Sequence, residues 1–365
     1  MDRPSLSSIL SLAVLASSCG GATVSPRAPL GNDEPAVAPS IGQRTTSRRQ
    51  DSLAYHVALA DKRTITVELT DRFELVVRDA STANAKANIR RIDLAKADFD
   101  ILDLVTNHDG SIAYVASTAG WVRGYELDSG RLLSEWRMGS SATALALSAD
   151  AEKLVIGTAT GVLCLRRLRD GAQLQCVAAH QSRVSAIAIS GATLISGDWS
   201  GTVARWSLPS LREERRIAGT GFVSAIAWSP NSETIAFARN ARKPVRTPKL
   251  NAAEKESPQV DPPGHNVIEL RPSSLEGTAI TLEDHRSIIS ALAWIGPDLV
   301  SGSWDRTVRI WNTTAAGRVR ILLRLPHLVS DVATSRLGGD VVVASWGTES
   351  ESTSITSLQL LYPQR

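Results

Sequence analysis

The chain has 365 residues, 43% of them apolar, with 40 basic and 37 acidic residues giving a formal charge of +3. This is enough apolar material for one large core. So even a charge balance excludes an extended polyanion-binding surface and argues against a nucleic-acid partner.

At the start of the chain, Arg3 and the amino terminus precede a short apolar run, Ile9 to Ala16. It is too short to span a bilayer, so residues 1–18 read as an export signal. The run ends in Leu15-Ala16-Ser17-Ser18-Cys19-Gly20, which resembles the lipobox of bacterial lipoproteins. The resemblance implies that Cys19 is lipidated. It also implies a chain held on the membrane by that lipid, in the bacterial cell envelope, at the outer membrane or its periplasmic face. Ala16 stands where that family usually has Leu, and Asp2 dilutes the leading positive charge. The alternative is an ordinary secretory signal and a soluble periplasmic or secreted protein. Residues 19–50 are rich in Ala, Pro, Ser, Gly and Arg without apolar periodicity. They read as a disordered tether reaching on the order of 30 Å.

From residue 51 a short pattern returns: ALADKR at Ala58, LDLVTN at Leu102, TALALS at Thr143, SAIAIS at Ser185, SAIAWS at Ser224, SALAWI at Ser290 and SDVATS at Ser330. The steps are 44, 41, 42, 39, 66 and 40 residues. Each copy alternates apolar with small or polar residues, as a half-buried strand does. Two more apolar runs and a polar one follow most copies, which makes four short strands per unit. The pattern predicts an all-β, seven-bladed β-propeller of four-stranded antiparallel blades over residues 51–365, monomeric. The last unit runs out after its third strand, at Ile355 to Tyr362. The chain just before Ala54 could supply the fourth. The long step holds an insertion at about 239–266, between the second and third strands of the fifth blade, either functional or disordered. Cys164 and Cys176 flank the Arg169-Asp170-Gly171 turn of a hairpin. They could pair, although two small buried hydrophobes is the preferred reading.

The unit His285 to Asn312 (HRSIISALAWIGPDLVSGSWDRTVRIWN) resembles the WD40 repeat family almost throughout, and His180 to Leu208 nearly as closely. In that family a His, a Ser or Thr, an Asp and a Trp form a buried hydrogen-bonded set. The matching positions are His285, Ser303 (or Ser301), Asp305 and Trp311. The fourth blade keeps His180 and Trp206 but has Ser200 where Asp is expected, so its set reads as incomplete. Blades one, two, three and seven keep only the strand pattern, with Tyr125 or Leu165 at the Trp position. A stretch from Gly124 to Trp136 (GYELDSGRLLSEW) is similar to the repeat of quinoprotein-like propellers.

The WD40 resemblance implies partner contacts on one face of the ring. Carried over by position, they are Trp199, Trp304 and Trp346 just before or at the second-to-third-strand turns. Phe222 and Ile288 open first strands, beside Ser185, Ser224 and Ser290. Tryptophan buries much area at low entropic cost, which suits a contact surface. No spacing of nucleophile, base and acid supports catalysis, and no metal or cofactor motif is present. His56, His108, His265 and His327 are scattered through the chain. The expectation is a non-catalytic scaffold binding an unidentified protein or peptide. The alternatives are a periplasmic propeller enzyme, lactonase-like or quinoprotein-like, marked by carboxylates or His around the channel, and a small-ligand sensor.

Overall fold

A computed structural model describes residues 42–50, 53–60, 63–69, 73–79, 89–94, 101–241, 266–313, 318–335, 340–346 and 353–361. Cys19 and the expected signal lie outside them. Strand β1 (Gly42–Gln50) comes first, within the stretch expected to be tether. The first blade is β2 (Leu53–Ala60), β3 (Arg63–Leu69), β4 (Phe73–Asp79) and β5 (Ile89–Asp93). The second is β6 (Ile101–Thr106), β7 (Ile112–Ser117), β8 (Trp121–Glu126) and β9 (Leu132–Arg137). The third is β10 (Ala142–Leu147), β11 (Lys153–Thr158), β12 (Val162–Arg167) and β13 (Gln173–Ala178). The fourth is β14 (Val184–Ser190), β15 (Thr193–Asp198), β16 (Val203–Ser207) and β17 (Arg212–Ile217). The fifth is β18 (Phe222–Trp228), β19 (Thr234–Asn240), β20 (Asn266–Pro272) and β21 (Ile280–Glu283). The sixth is β22 (Ile289–Ile295), β23 (Asp298–Ser303), β24 (Thr307–Asn312) and β25 (Arg318–Arg324).

The expectation of a seven-bladed propeller is corrected here. Six blades, not seven, are built from four consecutive strands. The remaining strands β26 (Leu328–Thr334), β27 (Asp340–Trp346) and β28 (Thr353–Leu361) number three, and β1 pairs with β28 to make their sheet four-stranded. Without β1 the edge of β28 would carry a row of unpaired backbone groups. This composite sheet joins the two ends of the folded chain.

The second strand of each unit is buried almost throughout, as in β11 and β15, whereas the fourth is exposed, as in β9 and β13. Sheets stacked face to face require this, because a middle strand is covered on both sides and an outer one is not. The apolar clusters accordingly straddle neighbouring sheets. One joins Leu163 and Leu165 of the third blade to Val184, Leu194 and Trp206 of the fourth. Another joins Ala236 and Ile268 of the fifth to Leu292 and Trp311 of the sixth.

Every inner strand carries a bulge at the same place. A bulge re-aims one side chain out of the pleat. Here it turns polar groups toward the next blade. Thr143 donates to the carbonyl of Val184 at 2.6 Å, Ser185 to that of Val223, Ser224 to that of Ile289 at 2.5 Å and Ser290 to that of Val329 at 2.7 Å. Elsewhere the residue after the bulge serves. Asp103 accepts the Leu145 N–H at 2.6 Å and Asp331 the Val57 N–H at 3.0 Å, while His56 hydrogen-bonds the backbone of Ile101.

Cys164 and Cys176 lie directly opposite each other on β12 and β13 and form a disulfide. The preferred expectation of two unpaired hydrophobes is therefore corrected, because the hairpin register itself brings the two Cβ atoms together. The ends of the expected insertion, Arg239, Asn240 and Asn266, are strand residues paired in one ladder.

Candidate site on the turn face

In the sixth blade the buried polar set is complete. His285 meets Ser301 through Nε2 at 2.7 Å and Asp305 through Nδ1 at 2.8 Å, and Trp311 Nε1 donates to Ser301 at 2.8 Å. The member from the second strand is Ser301, which corrects Ser303. Two residues nearer the turn, Ser303 instead donates to the Ser287 carbonyl at 3.2 Å and accepts the Asp305 N–H at 3.1 Å. Burial pushes the Asp305 carboxyl up, but His285, Thr307 and the Arg286 N–H outweigh it and hold the group below its ordinary value.

In the fourth blade the set is less complete, and His180 Nδ1 makes no hydrogen bond. His180 and Trp206 share Ser196 at 2.6 and 2.8 Å, and the acid is Asp198, two residues earlier than the family position. Asp198 Oδ2 sits 3.3 Å from His180 Nδ1, off the line of a good hydrogen bond. Ser200, the residue found where Asp was expected, donates its hydroxyl to both Asp198 oxygens at 2.7 Å. Burial works against the Asp198 charge, yet His180, Ser200 and the Thr202 N–H hold the pKa at about 2.

These sets fix the turns that follow the second strands. Trp199 is clipped by its N–H to the Arg183 carbonyl at 3.1 Å, and Trp304 likewise to Ile288 at 2.9 Å. Trp199, Trp304, Phe222 and Ile288 are all half-buried. The rings of Trp199 and Phe222, from adjacent blades, lie 6.3 Å apart, with the Arg183 guanidinium 5.0 Å from the Trp199 ring. Trp346 ends β27 opposite Leu328, and its side chain lies outside the described residues. Ser185, Ser224 and Ser290 are placed at the bulges, where their hydroxyls are engaged by the neighbouring blade.

Three features escaped the sequence reading. Arg183 precedes Val184 as Phe222 precedes Val223 and Ile288 precedes Ile289, so the repeat offset itself marks it. Asp198 was masked by its displacement in the turn. His56, Asp103 and Asp331 come from three successive inner strands, with His56 Nδ1 3.8 Å from Asp331. Burial lifts Asp103 and Asp331 to about 7 and lowers His56 to about 4. Both oxygens of each carboxylate accept backbone N–H groups, so these residues hold blades together. Among the described residues no group of three or more His, Cys, Asp or Glu is placed to hold a metal ion.

Residues 278–312, which end with the complete set of the sixth blade, match the WD40 family, described as WD domain, G-beta repeat. The chain is also similar to fly proteins named ribosome biogenesis protein WDR12 homolog. The identity is 30% over 77 residues in Drosophila persimilis and 31% over 77 residues in Drosophila virilis. Each match covers 21% of this chain and 18% of the relative, so the chain spans less than a fifth of their length. These relatives are named for ribosome biogenesis and not as envelope lipoproteins, and the expected lipid-anchored location in a bacterial cell envelope is set aside on that ground. No helix among the described residues is long and apolar enough to cross a membrane. The sixth blade matches the WD40 repeat, and the chain that carries it is an all-β propeller of four-stranded antiparallel blades.

Proposed function

We propose that this protein is a non-catalytic interaction module whose turn face, bearing Trp199, Phe222, Trp304 and Ile288, receives a protein or peptide partner. The observation that carries the reading is the Trp199 and Phe222 pair, contributed by two blades and left half open to solvent. Rigid aromatic groups held by backbone clips lose little entropy on binding, which is why such residues dominate contact energies. The polar cluster of His56, Asp103 and Asp331 would favour an enzyme if its oxygens were free, and backbone N–H groups occupy them. The fly relatives are named for ribosome biogenesis, which agrees with a module serving an assembly and not a reaction.

The test compares the intact protein with a variant carrying Trp199→Ser and Trp304→Ser, with Trp346→Ser added in a second variant. Loss of a stoichiometric, cross-linkable partner at unchanged Tm supports the reading. A partner retained by both variants, or a Tm collapse that accounts for the loss, overturns it.

A further inference from the structure

Several arginines of the fourth and fifth blades are paired with acids. Arg205 meets Glu214 at 2.8 Å, Arg216 meets Glu213 at 2.5 Å and Arg239 meets Glu269 at 2.5 Å. Arg183, at the mouth of the fourth blade, has no carboxylate partner among the described residues, and its buried Nε makes no hydrogen bond. Its guanidinium lies over the Trp199 ring, 5.0 Å from the centroid. Burial lowers the Arg183 pKa to about 10, which still leaves it charged at neutral pH. Arg306, in the turn between the second and third strands of the sixth blade, also has a buried Nε without a partner. It holds a φ of 68° where Gly120, Gly161 and Gly201 stand in other blades, a conformation that disfavours side chains.

A half-buried guanidinium without an acid is a poor use of an ionised group unless something else completes it. Its planar fork matches a carboxylate through two parallel N–H donors, and stacking on an aromatic face leaves that N–H edge available. We infer that Arg183 receives a carboxylate of the bound partner, so that the turn face takes an acidic peptide segment whose Asp or Glu side chain meets Arg183 while an adjacent apolar residue packs on Trp199 and Phe222. This inference rests on the turn-face reading above and adds the chemistry of the partner.

The probes are two pools of short end-capped peptides, one with Glu at alternate positions and one with Gln in its place, both randomised elsewhere among apolar residues. Binding to the full chain is read by fluorescence anisotropy across a salt series. The expected result is a Glu pool bound about 10-fold tighter than the Gln pool, a preference that shrinks as salt rises. Arg183→Gln is expected to abolish the preference at unchanged Tm, and Arg183→Lys to retain part of it. Equal binding of the two pools, or a preference that survives Arg183→Gln, overturns the inference. If both pools bind equally and Trp199→Ser releases both, the acid site fails while the turn face stands. If neither pool binds, both fail.

Discussion

Asp103 on β6 accepts the backbone N–H of Leu145 on β10 at 2.6 Å, and Asp331 on β26 makes the same link to Val57 on β2 two blades earlier, so two ionisable side chains stitch together blades that hydroxyls stitch elsewhere. Burial raises both carboxyl groups from 3.8 to about 7. A folded pKa above the unfolded one means stability that is fully present below about pH 4 and lost as pH rises through 7. His56 works in the opposite sense. Lowered from 6.5 to about 4, it contributes above pH 6.5 and loses that contribution as pH falls through 4. Asp103→Asn keeps an acceptor for Leu145 and removes the titration. Between pH 5 and pH 8 the variant is expected to gain on the intact protein by on the order of 2 kcal/mol in urea unfolding. Parallel pH profiles would show that Asp103 does not titrate in this range.

Ser301 joins His285 to Trp311, and Ser196 joins His180 to Trp206. Ser301→Ala leaves a ring nitrogen and an indole N–H buried without a partner, a cost of about 2 to 4 kcal/mol. Ser196→Ala is expected to cost a similar amount. Ser303→Ala, which touches only the turn, is expected to cost about 1 kcal/mol. Thermal or urea unfolding of the three variants checks the order.

The Asp198 carboxyl is held at about 2, below its ordinary 3.8. A depressed folded pKa contributes stability above pH 4 that disappears as pH falls through 2. Asp198→Asn is therefore expected to be more destabilising at pH 7 than at pH 2.5, and equal losses at both would sink the assignment. The measurement is the urea midpoint at each pH.

Gly161 and Arg306 occupy the same place in their turns with opposite consequences. A Cβ on Gly161 would stand 2.1 Å from the His180 carbonyl, at a φ of +82°. Gly161→Ala must push the next blade's loop away and is expected to cost about 2 to 3 kcal/mol. Arg306→Gly relieves a left-handed side-chain residue and is expected to be stabilising by about 0.5 to 1 kcal/mol. The signs are read from Tm.

The Cys164 and Cys176 disulfide closes a loop with a sequence separation of 12. Such a short loop contributes about 2 to 3 kcal/mol. Reduction is expected to lower the urea midpoint accordingly without unfolding the chain, since the hairpin ladder persists. Unfolding followed with and without reductant is the check.

The sequence by itself determined the strand pattern, because alternation of apolar residues is a local property repeated at each unit. Resemblance to the WD40 repeat picked out His285, Asp305 and Trp311, which lie in one short stretch. Which serine joins them, that Asp198 replaces the absent turn acid, and that Ser185, Ser224 and Ser290 face a neighbouring blade were decided by tertiary structure. Those facts depend on bulges and on contacts between residues about forty positions apart, where direction in space, which spacing along a chain does not encode, selects the partner. The closing sheet is the extreme case, for β1 and β28 pair from opposite ends of the molecule to satisfy backbone groups that neither segment can satisfy alone.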